Sequence, residues 1–214
     1  MRTNKMCAIL GNLHRYKELM PLTESRPLST LLFDCKYRLL DFNLSSIENA
    51  NIKQVYMIFN EGETQSVFDH IGGGKEWNLD GVQNRFFIHL FQDSLKQQAA
   101  GQEYYYNVID YLEKSKSEHT VYMGSNILCN IDLRALLKIH QLQNKEMTVV
   151  YKRISSDNVS DNDLIFSVDE EGHLNEAVQA KKCETESMVN LCTDIFIIKT
   201  ARLIQALKEG QAVG

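Results

Sequence analysis

The chain of 214 residues has no excess of basic charge and no long apolar run. Its 23 Lys and Arg residues are outnumbered by 28 Asp and Glu residues, which gives a formal charge of −5. Binding to a nucleic-acid backbone needs a concentrated surplus of basic side chains, so no nucleic-acid partner is expected. No stretch is apolar over the roughly 20 residues that a membrane-spanning helix needs, so no membrane partner is expected either. With 43% hydrophobic residues, the chain can nevertheless bury a core.

Paired cysteines are also missing. The five cysteines form no C-x-x-C motif, and no histidine stands at zinc-finger spacing from any pair of them. The six histidines are scattered, and no two are spaced as a metal pair on one helix face, so no metal site is assigned. The first six residues are polar and contain no secretory apolar segment. Free thiols without a leader predict a reducing, cytoplasmic location.

Short apolar runs alternate with segments of helical period through the first 151 residues. The runs that predict buried strands are Met6–Leu10, Gln54–Phe59, Phe86–Phe91, Thr120–Met123 and Met147–Tyr151. Apolar stripes typical of helices lie at 40–47, 104–112 and 133–140, and Asp132 is placed to cap the last of them. Alternation of this kind predicts βαβ units and a mainly parallel sheet, with any ligand along the edge where the strands end.

The pattern changes after Tyr151. Leu164–Val168 and Leu174–Gln179 are separated by a turn-forming segment, Asp169–Gly172, which is typical of a hairpin. A third apolar run, Met188–Ile198, follows, and Thr200–Glu209 has the period of a final amphipathic helix. These segments predict antiparallel strands added to the parallel sheet.

The turn after the first strand stands at the usual phosphate-binding position of a doubly wound sheet. Close approach of a backbone to phosphates needs several glycines, and only Gly11 is present there. Leu13, His14 and Tyr16 would place bulky side chains where phosphate oxygens pack. The residues alone therefore favour a structural turn over a triphosphate cradle.

Pro21 and Pro27, the only two prolines of the chain, bracket a segment that contains Arg26. Proline restrains the residue before it to an extended conformation, so the guanidinium of Arg26 is expected in a defined pose that suits a phosphate. A rigid surface loop is an equally good interpretation. Further on, Arg38 and Asp41 stand three residues apart at a predicted helix start, where we expect an ion pair that fixes the start of the helix.

The order of these motifs resembles the N-terminal domain of bacterial glucose-1-phosphate adenylyltransferases. The most specific blocks are K-Y-R-L-L-D-F-N-L-S at 36–45 and G-G-G-K-E-W-N-L-D at 72–80. The resemblance implies an α/β fold of the Rossmann-like nucleotidyltransferase (nucleotide-diphospho-sugar transferase) type, mainly parallel with added antiparallel strands. It also implies one nucleotidyltransferase-like domain over residues 1–214, with the family's C-terminal β-helix absent from this chain.

Several positions depart from the pattern of that family. Ser125 stands where the family has a magnesium-binding aspartate, Arg26 replaces the lysine of its K-P motif, and Lys181 remains from its glucose-phosphate motif without the glutamate. A hydroxyl cannot supply the charge that Mg²⁺ needs, and losing electrostatic stabilisation of this kind costs on the order of a hundred-fold in rate. We therefore assign no catalytic residue. The candidates for a remnant nucleotide or sugar-phosphate site are Gly11, Asn12, Arg26, Gly124, Ser125 and Lys181.

The combination of an intact framework and altered site positions resembles the GlgD-type subunit of Gram-positive bacteria. That resemblance implies a regulatory, catalytically impaired subunit in glycogen biosynthesis, which forms a hetero-oligomer with a catalytic homologue. In the full-length family this hetero-oligomer is a heterotetramer. The catalytic partner would use Mg²⁺ to convert ATP and glucose 1-phosphate to ADP-glucose and diphosphate. Two alternatives stay open. One is an active or weakly active adenylyltransferase that binds substrate through Arg26, Asp132 and Lys181; the other is a module that senses ATP or a sugar phosphate.

Overall fold

The computed structural model describes residues 5–11, 13–15, 17–81, 84–182 and 187–213. The chain divides into two compact units. The larger comprises Met1–Thr148 and Ile197–Gly214, and the smaller comprises Val149–Phe196.

The elements alternate as the sequence predicts. The strands are β1 (Met6–Gly11), β2 (Leu32–Phe33), β3 (Tyr37–Arg38), β4 (Gln54–Phe59), β5 (Arg85–Leu90), β6 (His119–Gly124), β7 (Met147–Ser155), β8 (Leu164–Val168), β9 (Leu174–Gln179) and β10 (Met188–Lys199). The helices are α1 (Leu39–Asn49), α2 (Thr64–Ile71), α3 (Phe91–Ala99), α4 (Tyr106–Ser115), α5 (Leu133–Gln143) and α6 (Thr200–Val213).

Parallel strands form the sheet of the larger unit, in the order β5-β4-β1-β6. Every residue of β1 is buried, which explains why its sequence is a continuous apolar run rather than an alternating one. Cys7 and Ile9 pack with Tyr56, Tyr111 and Leu112 in a core cluster, to which α6 adds apolar side chains. In the smaller unit, β8 pairs antiparallel with β9 and with β10.

Helix α1 shows how the sequence pattern sets the packing. Its stripe, Leu40, Leu44 and Ile47, is fully buried, as the i, i+4, i+7 spacing predicts. The predicted ion pair at its start is wrong. The carboxylate of Asp41 accepts a hydrogen bond from the backbone N–H of Arg38 at 2.9 Å and contacts the ring of His70. The Arg38 guanidinium instead donates to a backbone carbonyl at the start of α2.

Several boundaries differ from the predictions: β7 continues to Ser155 and α6 to Val213, beyond the predicted ends at Tyr151 and Glu209. Phe91 begins α3 rather than ending β5, because the apolar run continues across the junction of strand and helix. Tyr104 and Tyr105 precede α4 and do not belong to its stripe. No helix in the described part of the chain is long and apolar enough to cross a membrane.

Candidate functional site

The carboxyl edge of the sheet brings three predicted site residues together. Strands β1 and β6 end side by side, with Gly11 opposite Gly124. The carbonyl of Gly11 accepts the hydroxyl of Tyr122 at 3.0 Å and the backbone N–H of Ser125 at 3.4 Å. Gly11, Gly124 and Ser125 are therefore neighbours, held by the parallel register and by hydrogen bonds to one carbonyl.

Gly11 has no backbone conformation at this edge that only glycine can adopt. Its backbone does not adopt a positive φ, and an added Cβ would meet the Cβ of Ile58 at 3.4 Å, which is normal van der Waals contact. The backbone therefore places no strong demand for glycine here. This agrees with the structural turn that the residues favour.

Ser125 is shielded from solvent. The residue is only 1% exposed, and the adjacent Gly124 carbonyl accepts a hydrogen bond of 3.1 Å from the buried side chain of Asn43. A neutral hydroxyl at such a depth does not fit Mg²⁺, which binds carboxylate oxygens and keeps several waters. In the described part of the chain, no group of three or more His, Cys, Asp and Glu residues could hold a metal ion.

A buried carboxylate that the sequence reasoning missed lies beside the turn after β1. Glu63 is 5% exposed, and Asn60, directly after β4, donates both to its carboxylate and to the backbone carbonyl of Leu13, each at 3.2 Å. The exposed guanidinium of Arg15 lies 3.5 Å from the other Glu63 oxygen. Asn60 and Glu63 could have been found, because they follow a predicted parallel strand at its carboxyl end.

These contacts define what the turn can accept. Glu63 adds negative charge at the position where a phosphate chain would need positive charge. Arg15 is already engaged in an ion pair with this carboxylate. In the described part of the turn, the Leu13 carbonyl and the Arg15 guanidinium are therefore both engaged with other residues of the protein, and Arg15 is not free for a phosphate.

Arg26 makes none of the side-chain hydrogen bonds or ion pairs that join Asn60, Glu63 and Arg15. The contacts of its segment run to α1 and α2: the hydroxyl of Thr30 donates to the Pro27 carbonyl at 3.1 Å and pairs with the Ser66 hydroxyl at 3.0 Å. The Arg26 side chain is exposed and has no hydrogen-bond or ion-pair partner among the described residues. Thr30 is thus hydrogen-bonded to α2 through Ser66, and the guanidinium of Arg26 is exposed to solvent.

Lys181 belongs to the smaller unit. It lies in the short helical turn Ala180–Lys182 after β9, and its backbone N–H donates to the carbonyl of Asp161 at 3.4 Å. With Asp161 and Ser156 it lines a small cavity of about 210 Å³. Its exposed ammonium makes no ion pair within the described part of the chain.

Three other residues named from the sequence are Asn12, Tyr16 and Asp132. Asn12 and Tyr16 lie outside the described residues. Asp132 caps α5 as predicted: its carboxylate accepts the backbone N–H groups of Arg134 at 2.9 Å and Ala135 at 3.1 Å. These hydrogen bonds, above all that from Ala135, lower the pKa of Asp132. One carboxylate oxygen is therefore committed to the helix end.

Sheet order and strand direction define an α/β protein with a parallel sheet in its larger unit. The fold is similar to that of a crystal structure described as a glucose-1-phosphate thymidylyltransferase from Bacillus anthracis, with a TM-score of 0.68. That likeness covers 95% of this chain and 75% of the other at 13% identity, so it speaks for the fold alone. The Rossmann-like, mainly parallel fold with added antiparallel strands is confirmed. The chain belongs to the nucleotidyl transferase family, whose model matches residues 17–175.

Curated relatives place it within that family near proteins of glycogen synthesis. The glycogen biosynthesis protein GlgD of Bacillus subtilis (strain 168) is 31% identical over 156 residues, which are 71% of this chain and 45% of that protein. A glucose-1-phosphate adenylyltransferase of Aliivibrio fischeri (strain MJ11) is 31% identical over 163 residues, 73% of this chain and 38% of that enzyme. The chain thus spans less than half the length of these relatives.

Proposed function

We propose that this chain is the nucleotidyltransferase-like part of a regulatory, catalytically impaired subunit of glucose-1-phosphate adenylyltransferase in glycogen biosynthesis. Its partner is a catalytic homologue that converts ATP and glucose 1-phosphate to ADP-glucose and diphosphate. The two chains form a hetero-oligomer, a heterotetramer when full length. The similarity to both GlgD and glucose-1-phosphate adenylyltransferases supports this assignment.

Ser125 is the observation that carries the proposal. It lies at the carboxyl edge beside Gly11 and Gly124, where the sequence resemblance expects a magnesium-binding aspartate. Nucleotidyl transfer needs a divalent cation to neutralise charge on the departing diphosphate. A buried, neutral side chain at this position leaves the cation without its carboxylate.

The buried Glu63 supports the same conclusion. A fixed negative charge next to the turn after β1 opposes the approach of a triphosphate, and Arg15 is engaged with it. The missing carboxylate at Ser125 and the negative charge of Glu63 would each lower catalytic activity, and both lie at the carboxyl edge of the sheet. The framework of the fold is retained, which a subunit needs if it is to assemble with a homologue.

Mixing experiments test the proposal. The purified chain, in its complete form, is titrated into the catalytic homologue from the same organism, and ADP-glucose formation is followed with and without effectors. We expect a saturable change in rate or in effector response. On its own, with ATP, glucose 1-phosphate and Mg²⁺, the chain should release no diphosphate at ordinary enzyme rates. An unchanged rate and effector response in the mixture would contradict the proposal.

A second candidate is a weakly active adenylyltransferase or a sensor of ATP or sugar phosphates. It is favoured by Arg26 and Lys181, whose exposed cationic groups have no ion-pair partner among the described residues. Thermal-shift titration with ATP, ADP-glucose and glucose 1-phosphate tests it, because a ligand of the native state adds about 2.7 kcal/mol of stability at a hundred times its Kd. Arg26→Ala and Lys181→Ala are tested separately, since the two residues belong to different units. The variant at the cation that binds the ligand should lose the shift, and Lys208→Ala, an exposed lysine elsewhere, should keep it.

A further inference from the structure

The carboxylate of Glu63 holds a cation of the neighbouring turn. Strands β1 and β4 are parallel neighbours with Gly11 opposite Ile58, so the segments that follow them lie side by side at the carboxyl edge of the sheet. The Arg15 guanidinium belongs to the first segment and Glu63 to the second, and their charged atoms lie 3.5 Å apart. This ion pair therefore ties the turn after β1 to the residue that precedes α2.

The two partners differ greatly in their contact with water. The side chain of Arg15 is 62% exposed, whereas that of Glu63 is 6% exposed. Within the described part of the chain, Arg15 is the one cation that pairs with this carboxylate. If the pair separates, the guanidinium is hydrated, but the carboxylate stays buried without its cation, which is unfavourable. The burial of Glu63, rather than any restraint on Arg15, thus keeps the pair together.

Asn60 sets the geometry of this pair. Its amide nitrogen donates to the Glu63 carboxylate and to the Leu13 carbonyl, each at 3.2 Å. Its amide oxygen accepts from the side chain of Gln92 at 3.4 Å, so the nitrogen is the atom left to face the turn. One side chain therefore holds the carboxylate and the turn backbone together, two residues before Arg15.

The cations of the turn would otherwise suit an anion. Arg15 and Lys17 stand two residues apart, and both are exposed, at the edge where ligands of parallel sheets bind. The N–H donors of a guanidinium match the geometry of phosphate oxygens. An anion that takes Arg15 must displace Glu63 and leave that carboxylate buried and unpaired. The carboxylate of the protein thus competes with an anionic ligand for the same guanidinium.

We propose that the ion pair of Glu63 with Arg15 is an autoinhibitory contact that masks a polyphosphate-binding position at the turn after β1. Glu63 acts as an internal competitor, and removal of its charge frees the guanidinium. The inference rests on the proposed function, because it assigns the impairment of this edge in part to a contact that a single substitution removes.

Inorganic tripolyphosphate is the probe, because it presents the anion without a base or a sugar. Its binding to the full chain is measured by isothermal titration calorimetry at low ionic strength, where surface charges are screened least. Glu63→Gln removes the buried charge and keeps an oxygen that can accept from Asn60, so the variant should fold. We expect it to bind tripolyphosphate roughly tenfold more tightly than the unaltered chain, because Arg15 no longer has a charged competitor.

Glu61→Gln is the matched control for charge. Glu61 lies two residues earlier in the same segment, is exposed and pairs with Lys96 at 3.3 Å, so its substitution changes the net charge by the same amount. Because an exposed ion pair of this kind is weak, the variant should change the affinity by less than about threefold.

Arg15→Ala shows whether the freed guanidinium causes the gain. Introduced into Glu63→Gln, it should return the affinity to that of the unaltered chain. Introduced alone, it should change the affinity little, because the guanidinium is already engaged. The difference between these two effects of one substitution measures the coupling of the two side chains.

Each variant is first shown by circular dichroism to be folded. A gain in Glu63→Gln that Glu61→Gln does not share, and that Arg15→Ala removes, establishes the contact. No gain in Glu63→Gln, an equal gain in Glu61→Gln, or a gain that survives Arg15→Ala each overturns it. Failure of the proposed function is seen elsewhere, in the mixing experiment with the catalytic homologue, which does not depend on tripolyphosphate binding.

Discussion

His119 and His140 lie with their ring centroids 5.2 Å apart and their planes at 89°, both buried in the larger unit. His140 pairs through Nδ1 with the Thr148 hydroxyl at 2.8 Å. Within the described residues, neither its Nε2 nor the Nδ1 of His119 has a hydrogen-bond partner. Two imidazoles packed edge to face in this way cannot both accept a proton without repulsion.

This pair predicts acid sensitivity. Burial lowers the pKa of both rings, Lys199 lowers both further, and His119 lowers that of His140; Glu118 beside His119 and Glu146 beside His140 oppose these effects. Unfolded histidine takes up a proton near pH 6.5, whereas the folded rings do so only at lower pH. Stability is therefore complete above about pH 6.5 and falls as the pH decreases below it.

Urea unfolding at pH 7.5 and pH 5.5 measures the effect. We expect a lower midpoint at pH 5.5, and a smaller difference between the two pH values in His119→Gln, which removes one titrating ring. An equal difference in the variant and in the unaltered chain would show that other groups cause the acid response.

The two neighbouring tyrosines of the core cluster should respond to the same substitution with opposite signs. Tyr56→Phe removes a buried hydroxyl without a partner and is expected to raise the free energy of unfolding by about 1 kcal/mol. Tyr111→Phe removes the donor to the Ala8 carbonyl and is expected to lower it by about 1 kcal/mol. Denaturant unfolding of both variants checks the pair, and a loss of stability in Tyr56→Phe would mean that its hydroxyl is satisfied.

The sequence predicts the bounds of an element most accurately where its hydrophobic pattern matches its burial in the fold. Gln54–Phe59 is predicted with its observed bounds because a buried parallel strand is apolar on both faces. Helix α3 is missed because its sequence is mostly polar and the apolar run before it continues into Phe91. The same limit applies to the site. Gly11 and Gly124 follow from strand ends, whereas the contacts of Asn60 with Leu13 and of Glu63 with Arg15 join residues far apart in sequence and depend on the tertiary structure.

Substitutions of Asp132 distinguish a structural role at the start of α5 from a role in substrate binding. Asp132→Ala should lower the free energy of unfolding, because the first N–H groups of α5 lose their acceptor. Asp132→Asn keeps an acceptor oxygen and should cost little. Because the folded carboxyl has a lowered pKa, its contribution is complete above the pKa of unfolded aspartate, near 4, and is lost at lower pH. Thermal unfolding at pH 7 checks both variants. Loss of ligand-induced thermal shift in Asp132→Asn would instead favour the substrate role.

Restoring a carboxylate at the carboxyl edge gives the most direct test of the site. In Ser125→Asp, a charge would enter a position that is 1% exposed, beside a carbonyl already bonded to Asn43. An uncompensated buried charge costs about 3 kcal/mol or more, so the variant should unfold at a markedly lower temperature. Ser125→Ala, the matched control, should change the free energy of unfolding by less than about 1 kcal/mol.

Addition of Mg²⁺ to Ser125→Asp decides what the loss of stability means. If the surrounding residues lack the further ligands that a hard cation needs, millimolar Mg²⁺ will leave the melting temperature of the variant unchanged. Recovery of stability with Mg²⁺ but not with the same ionic strength of Na⁺ would show that the edge still completes a cation site. In that case one serine would be the main obstacle to catalysis, and diphosphate release by Ser125→Asp with ATP and glucose 1-phosphate would follow. We expect neither recovery of stability nor release of diphosphate, because the ion pair of Glu63 and Arg15 remains beside the turn after β1.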